Sequence, residues 1–224
     1  MLSKRLIFIV LFLSPGILWA QNRRAPDDLH QYLAKAKQER HMRSDAMAKA
    51  MDPGYYGDYD VHFYQLDLTF DEEQEIVSGT VEMRATSLSE SQSTLRMDLF
   101  NNLVIDTVTG TPTDWGHAND KVSLEFDPAL SAGEEFTVRI TYSGTPPRAG
   151  FQGLTFEYHG VGEFYAPIIS SLSEPYFARS WWPCKDIPSD KADSANINLT
   201  VSEELTPVSN GSLVNTVSNG DGTH

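Results

Sequence analysis

Tyr64-Gln65-Leu66-Asp67-Leu68-Thr69-Phe70 alternates large apolar and polar residues without a break, and Asp71-Glu72-Glu73 follows it. A side-chain period of two places Tyr64, Leu66, Leu68 and Phe70 on one face of an extended chain and Gln65, Asp67 and Thr69 on the other. That is the pattern of a strand with one face in a core. The acidic triplet supplies a polar turn. Residues 76–83 then resume as a second strand, in which Gly79 marks a bulge or a point of close backbone packing. Further β-like stretches lie at 94–99, 104–108, 121–126, 135–142 and 195–201, separated by Gly, Pro, Asn and Asp. No helical patterns alternate with them, as a parallel α/β sheet would require. The expected fold is therefore all-β, with antiparallel sheets forming a saddle-like or sandwich domain over residues 55–224.

The N-terminal residues have a different character. Lys4 and Arg5 precede the apolar run 6–13, a Ser14-Pro15-Gly16 break and a small residue at Ala20. This order reads as a secretory signal peptide, residues 1–20, with an uncleaved anchor as the competing reading. The run is too short and broken for a membrane span, so no span is expected after cleavage. Within an N-terminal extension, 21–54, residues 27–50 lack Gly and Pro and carry Leu29, Tyr32, Leu33 and Ala36 at helical spacing. One helix is expected there, stopped by Asp52-Pro53-Gly54.

Export to a periplasmic or extracellular compartment fits the charge. With 17 Lys and Arg against 31 Asp and Glu, the net charge is −14, which makes nucleic acid a poor partner. The single cysteine, Cys184, excludes an internal disulfide, and its neighbours Trp181-Trp182-Pro183 supply bulk instead of a base. A buried structural thiol is the expectation. The six histidines are scattered, and the chain has no His-Glu-x-x-His, Gly-x-Ser-x-Gly, Cys-x-x-Cys or Gly-rich phosphate loop. No bound cofactor and no complete active site are expected from these residues. Asn198 and Asn210 head Asn-x-Thr and Asn-x-Ser sequons. Asn219-Gly220-Asp221-Gly222 has the chemistry of a tight turn with only Thr223 and His224 after it. The chain is accordingly read as a fragment whose β-domain stops short and leaves an unpaired edge.

The densest stretch is Ser173-Glu174-Pro175-Tyr176-Phe177-Ala178-Arg179-Ser180-Trp181-Trp182-Pro183-Cys184-Lys185-Asp186-Ile187-Pro188. It resembles the segment of aminopeptidase N-type zinc metallopeptidases in which Glu or Gln, four variable positions, Arg, aromatic residues and Pro-Cys-x-Asp-x-Pro follow in order. Lys191-Ala192, Val208-Ser209-Asn210 and the strand pair from Tyr59 to Arg84 extend the likeness. The resemblance implies an N-terminal β-domain that packs against a missing C-terminal, thermolysin-like zinc domain. It also implies that Glu174 binds the free α-amino group of a peptide substrate. A carboxylate suits that task because an ammonium ion loses hydration in a closed cleft and a charged hydrogen bond offsets the loss. Zinc is expected in the parent protein through residues beyond His224, and none in this chain.

Arg179 and Asp186 are read as a pair that stiffens the segment, and Trp181 and Trp182 as packing between domains more than a substrate wall. Leu172, Lys185 and Ile187 depart from the family pattern and bear on the details of the pocket. The competing function is a non-catalytic exported β-sandwich module for binding or scaffolding.

Overall fold

The computed structural model describes residues 57–148, 153–161, 164–173 and 176–224, so the expected signal peptide and the 27–50 helix lie outside the described residues. The strand pair read first is an antiparallel hairpin of β1 (Tyr59–Asp71) and β2 (Ile76–Ser87). The Asp71 carboxylate accepts the backbone N–H groups of Glu73 and Gln74, at 3.0 and 2.8 Å, and so closes the turn between them. A β-bulge between Val61 and Phe63 shifts the register of β1. The extra residue brings Tyr59 and Val61 onto the same buried face as Tyr64, Leu66, Leu68 and Phe70.

Around this hairpin a five-stranded sheet runs in the order β10 (Ser194–Thr200), β1, β2, β7 (Glu135–Gly144), β4 (Leu103–Gly110). A three-stranded sheet of β3 (Gln92–Asp98), β6 (Lys121–Leu130) and β5 (Asp114–Ala118) packs its apolar side against it. Val81 and Met83 of β2, Val138 and Ile140 of β7, and Val122 and Leu124 of β6 are all withdrawn from solvent in one core. Each such side chain contributes about 1.5–3 kcal/mol of burial. Phe136 of the larger sheet meets Phe126 of the smaller one edge to face at 5.6 Å, and Tyr59 closes on the same ring at 6.0 Å. The result is a β-sandwich. Gly79 is a close-packing point: a Cβ there would collide with the Asp67 carbonyl oxygen on β1.

All pairings within the sheets are antiparallel except β10 on β1, which is parallel. β10 can lie parallel to β1 because the whole chain between them returns to the starting end of the sheet, and the stretch between β9 (Phe164–Ser171) and β10 is the last leg of that crossover. β9 pairs with β8 (Leu154–Val161) in a separate two-stranded ribbon, whose Leu154, Phe156 and Ile169 lie against the core. At the C-terminal end the Asn219–Gly222 turn forms, with Gly220 and Gly222 at positive φ and the Asn219 N–H donating to the Thr223 carbonyl. Thr223 bridges to Ser202, and His224 exchanges backbone hydrogen bonds with Val201 just past β10, while Leu213 and Val214 stay exposed. Among the described residues no helix is long and apolar enough to cross a membrane.

Candidate substrate-anchoring segment

Residues 173–188 form the crossover into β10, and their local structure follows from polar groups that reach out of the core. The segment enters from β9, where the Leu172 N–H donates to the Gly153 carbonyl at 2.9 Å. The Ser173 hydroxyl next accepts the indole N–H of Trp181 at 3.0 Å. Glu174, the residue assigned to substrate binding, and Pro175 lie outside the described residues. The chain is described again at Tyr176, which is buried, and at Phe177, which adopts a left-handed conformation with φ of 86°. The Phe177 N–H donates to the Asp186 carboxylate at 3.0 Å. Its carbonyl accepts the N–H of Ser180 at 3.1 Å and the Ser180 hydroxyl at 2.7 Å. A 3-10 turn over Ala178–Ser180 follows.

The aromatic pair then turns inward. Trp182 stands edge to face on Tyr64 at 5.0 Å, and Trp181 lies 6.3 Å from Phe70 and 6.1 Å from Trp182. The Trp181 carbonyl accepts the Tyr142 hydroxyl at 2.6 Å. Both tryptophans are partly buried against the core of their own domain. The Tyr64 and Tyr142 hydroxyls are pushed to higher pKa by burial first and by the neighbouring Cys184 second, so both serve as neutral hydrogen-bond partners.

Cys184 pairs with Asp98 through backbone hydrogen bonds of 2.7 and 3.0 Å, docking the segment beside the end of β3. Its side chain is buried. Burial, followed by the Asp186 and Asp98 carboxylates, pushes the thiol up, the condition of an inert structural cysteine.

Beneath Cys184 lies a set of buried charges. Asp98, fully buried, is paired with Lys121, lies 3.7 Å from the Arg179 guanidinium, and accepts the Asp186 N–H at 3.1 Å. Arg179 Nε sits 3.6 Å from the Asp186 carboxylate, and its guanidinium carbon is 5.3 Å from the Phe100 ring centroid. The expected Arg179–Asp186 pair is thus present as an ion pair, and Asp98 joins it. Burial pushes the Asp186 carboxyl up; the Phe177 N–H and then Arg179 pull it back, and Asp98 adds to the push.

Lys185, a departure from the family pattern, points into the domain. Its ammonium pairs with Asp190, donates to the Tyr59 carbonyl at 2.5 Å and lies 4.3 Å from the Tyr59 ring centroid, while its backbone N–H donates to the Tyr64 hydroxyl. It acts as a clamp between segment and sheet. The roles of Asp98, Lys121, Tyr59 and Tyr64 are not legible in the sequence, because these partners lie far along the chain; Asp190 is only five residues from Lys185 but falls outside the motif. Asp98 gives no local signal, since in Leu95-Arg96-Met97-Asp98-Leu99 it takes the polar place of an alternating strand.

Three of the described histidines have separate side-chain partners: His62 lies by Thr86, Asp60 and Asp193, His117 by the Leu99 carbonyl, and His159 by Glu157, while His224 is bonded through its backbone to Val201. Among the described residues no three His, Cys, Asp or Glu side chains gather as a metal would require, so the donor set does not fit zinc. The described residues of the segment, Ser173 and 176–188, are held against the sandwich by these contacts.

Residues 60–224 match the peptidase M1 N-terminal domain. The chain is 25% identical over 179 residues to leucine aminopeptidase 2 of Vanderwaltozyma polyspora, covering 75% of this chain and 26% of that protein. It is 27% identical over 160 residues to leucine aminopeptidase 2-1 of Meyerozyma guilliermondii, covering 67% and 25%. Among solved structures, an M1 zinc metallopeptidase mutant from Deinococcus radiodurans bound to a Tyr-Ser-Ala substrate superposes with a TM-score of 0.60 at 25% identity, over 75% of this chain and 38% of that one. A two-domain M1 zinc metallopeptidase mutant bound to L-tryptophan gives 0.62 at 26%, over 75% and 38%. The chain therefore spans about a quarter of the length of these curated relatives. With its sandwich and its 173–188 crossover inside the matched region, the chain belongs to the M1 peptidase family, as that family's N-terminal domain.

Proposed function

We propose that this chain is the substrate-anchoring N-terminal part of an exported zinc-dependent aminopeptidase that releases N-terminal residues from peptides. In this reading zinc is held by a catalytic domain outside these 224 residues, where it polarises the scissile carbonyl and activates water. The part played by this chain is binding. Glu174 receives the substrate's α-ammonium in a charge-assisted hydrogen bond and so fixes the end of the peptide, which limits cleavage to the first bond. Residues 1–20 supply the export signal, and the substrate's amino terminus and the catalytic domain are the partners.

The observation that carries the reading is the match over residues 60–224 joined to the geometry of the segment, whose described residues are held on both sides of Glu174. The aminopeptidase names of the relatives and the tripeptide bound to a solved neighbour support the choice of substrate. In the protein carrying its catalytic domain, Glu174→Ala should lower kcat/KM for peptides with a free amino terminus by about 10- to 100-fold, the worth of one charged hydrogen bond. Unchanged kinetics would refute the assignment of Glu174.

A further inference from the structure

The sequence holds two Asn-Gly pairs, Asn210-Gly211 and Asn219-Gly220, and both are exposed. This dipeptide carries its own chemistry. Glycine has no Cβ to shield its backbone nitrogen, so that nitrogen can approach the carboxamide carbon of the asparagine before it. Whether it does so depends on how the two groups are held, and the fold holds the two pairs differently. Asn219 sits in the turn that closes just past β10. Its N–H donates to the Thr223 carbonyl and its carboxamide to the Thr223 hydroxyl, both at 2.9 Å, while the Gly220 N–H is directed at the Ser218 hydroxyl at 3.4 Å. Carboxamide and nucleophile are both engaged elsewhere.

At Asn210 the opposite holds. Residues 206–218 carry no helix and no strand, and among the described residues the Gly211 N–H has no hydrogen-bond partner. A Cβ added at Gly211 would meet nothing within 4 Å, so the space beside the nitrogen is open. The Asn210 Oδ1 accepts the Ser209 hydroxyl at 3.2 Å. A donor at that oxygen stabilises the negative charge that develops there when the carboxamide carbon is attacked.

From this contrast we propose that Asn210 is a site of spontaneous deamidation and that the fold protects Asn219 from the same reaction. The Gly211 nitrogen bonds to the Asn210 Cγ, the Cγ–Nδ2 bond breaks, and Nδ2 leaves as ammonia with the proton given up by the Gly211 N–H. The product is a cyclic succinimide. Water, the only co-reactant, then opens the ring. Addition at Cγ gives aspartate in an unchanged main chain; addition at the Asn210 main-chain carbonyl carbon gives isoaspartate, in which the main chain runs through Cγ. Either product adds a negative charge to a chain that already carries −14 and removes the carboxamide of the Asn210-Gly211-Ser212 sequon. The isoaspartate also lengthens the main chain close to Leu213 and Val214, both exposed.

The test is peptide mapping by mass spectrometry of the protein with its catalytic domain, made in a host that does not glycosylate and sampled over time in mildly alkaline buffer. Deamidation makes a peptide about 1 Da heavier, and fragment ions assign the shift to Asn210 or to Asn219. In the folded protein Asn210 should react about tenfold faster than Asn219, the effect of the two Thr223 hydrogen bonds that must open first at the latter. In denaturant the two rates should converge. Thr223→Val keeps the backbone carbonyl and removes the hydroxyl; it should raise the Asn219 rate about fivefold, the worth of one neutral hydrogen bond, and leave Asn210 as it was. Equal rates in the folded protein, an Asn210 that stays intact there, or an Asn219 rate that Thr223→Val does not move would overturn the proposal. So would a difference that persists in denaturant, because it would then belong to the local sequence and not to the fold.

Discussion

The sandwich and the 173–188 crossover are held by opposite means. In the sandwich, alternate residues of long strands bury apolar side chains, and the backbone satisfies itself in the ladders, so the fixed geometry belongs to a whole sheet. Among its described residues the crossover has one short turn and no ladder of its own. It is fixed residue by residue, through Asp98, Asp186, Lys185, Tyr64 and Tyr142. Hydrophobic burial is nondirectional and tolerates small shifts, whereas a buried, paired carboxylate accepts one arrangement. A chain that must present one side chain at one place is better served by the second device, laid on the first.

That contrast can be broken first at Asp98. Asp98→Ala leaves Lys121 and Arg179 beside an emptied site and the Asp186 N–H unpaired, and should cost about 3–5 kcal/mol in a denaturant melt. Ile140→Val, in the middle of β7, removes one fully buried methylene and should cost about 1 kcal/mol. If Ile140→Val proved the more damaging, the crossover would owe little to its polar network. The two also differ in kind. Hydrogen exchange in Asp98→Ala should quicken first around Cys184 and Asp186, while in Ile140→Val the change should follow the sheet.

A smaller effect concerns Glu82, buried on the outer side of β2 between Arg84 and Arg139. Burial raises its carboxyl pKa, but the hydrogen bonds and charges of the two guanidinium groups outweigh burial and leave it below the ordinary value of 4.5. A lowered folded pKa means that the native state resists protonation. The contribution of Glu82 is therefore complete above the ordinary value and is lost as pH falls through the lower one. Both arginines are more than half exposed, so the total is on the order of 1 kcal/mol or less and shrinks with salt. Glu82→Gln should flatten this part of the acid limb of stability against pH; an unaltered limb would show that the pair is too well screened to matter.

The same contrast explains what was legible in the sequence. Alternation in Tyr64-Gln65-Leu66-Asp67-Leu68-Thr69-Phe70 is a local property, and β1, β2, β3, β4, β6, β7 and β10 all lie where period-two stretches or turn residues place them. β5 escaped because Asp114-Trp115-Gly116-His117-Ala118 is short and carries one large apolar residue. β9 escaped because Pro167 argues against a strand interior, a cost it evades in a two-stranded ribbon with open edges. The parallel seat of β10 depends on the crossover, which no local pattern announces. At the candidate site, Arg179 and Asp186 were found because they are seven residues apart in one motif. Asp98, 88 residues from Asp186, and Tyr64, 121 from Lys185, were invisible because their roles exist only after the sheets close.

The most direct measurement is a crystal structure of the protein with its catalytic domain, bound to a peptide that has a free amino terminus. A Glu174 carboxylate oxygen about 2.7–2.9 Å from the peptide's α-ammonium, with Trp181 still donating to Ser173, is the expected result. An ammonium held by other groups, with Glu174 turned to solvent, would contradict it and leave the 173–188 crossover a purely structural brace.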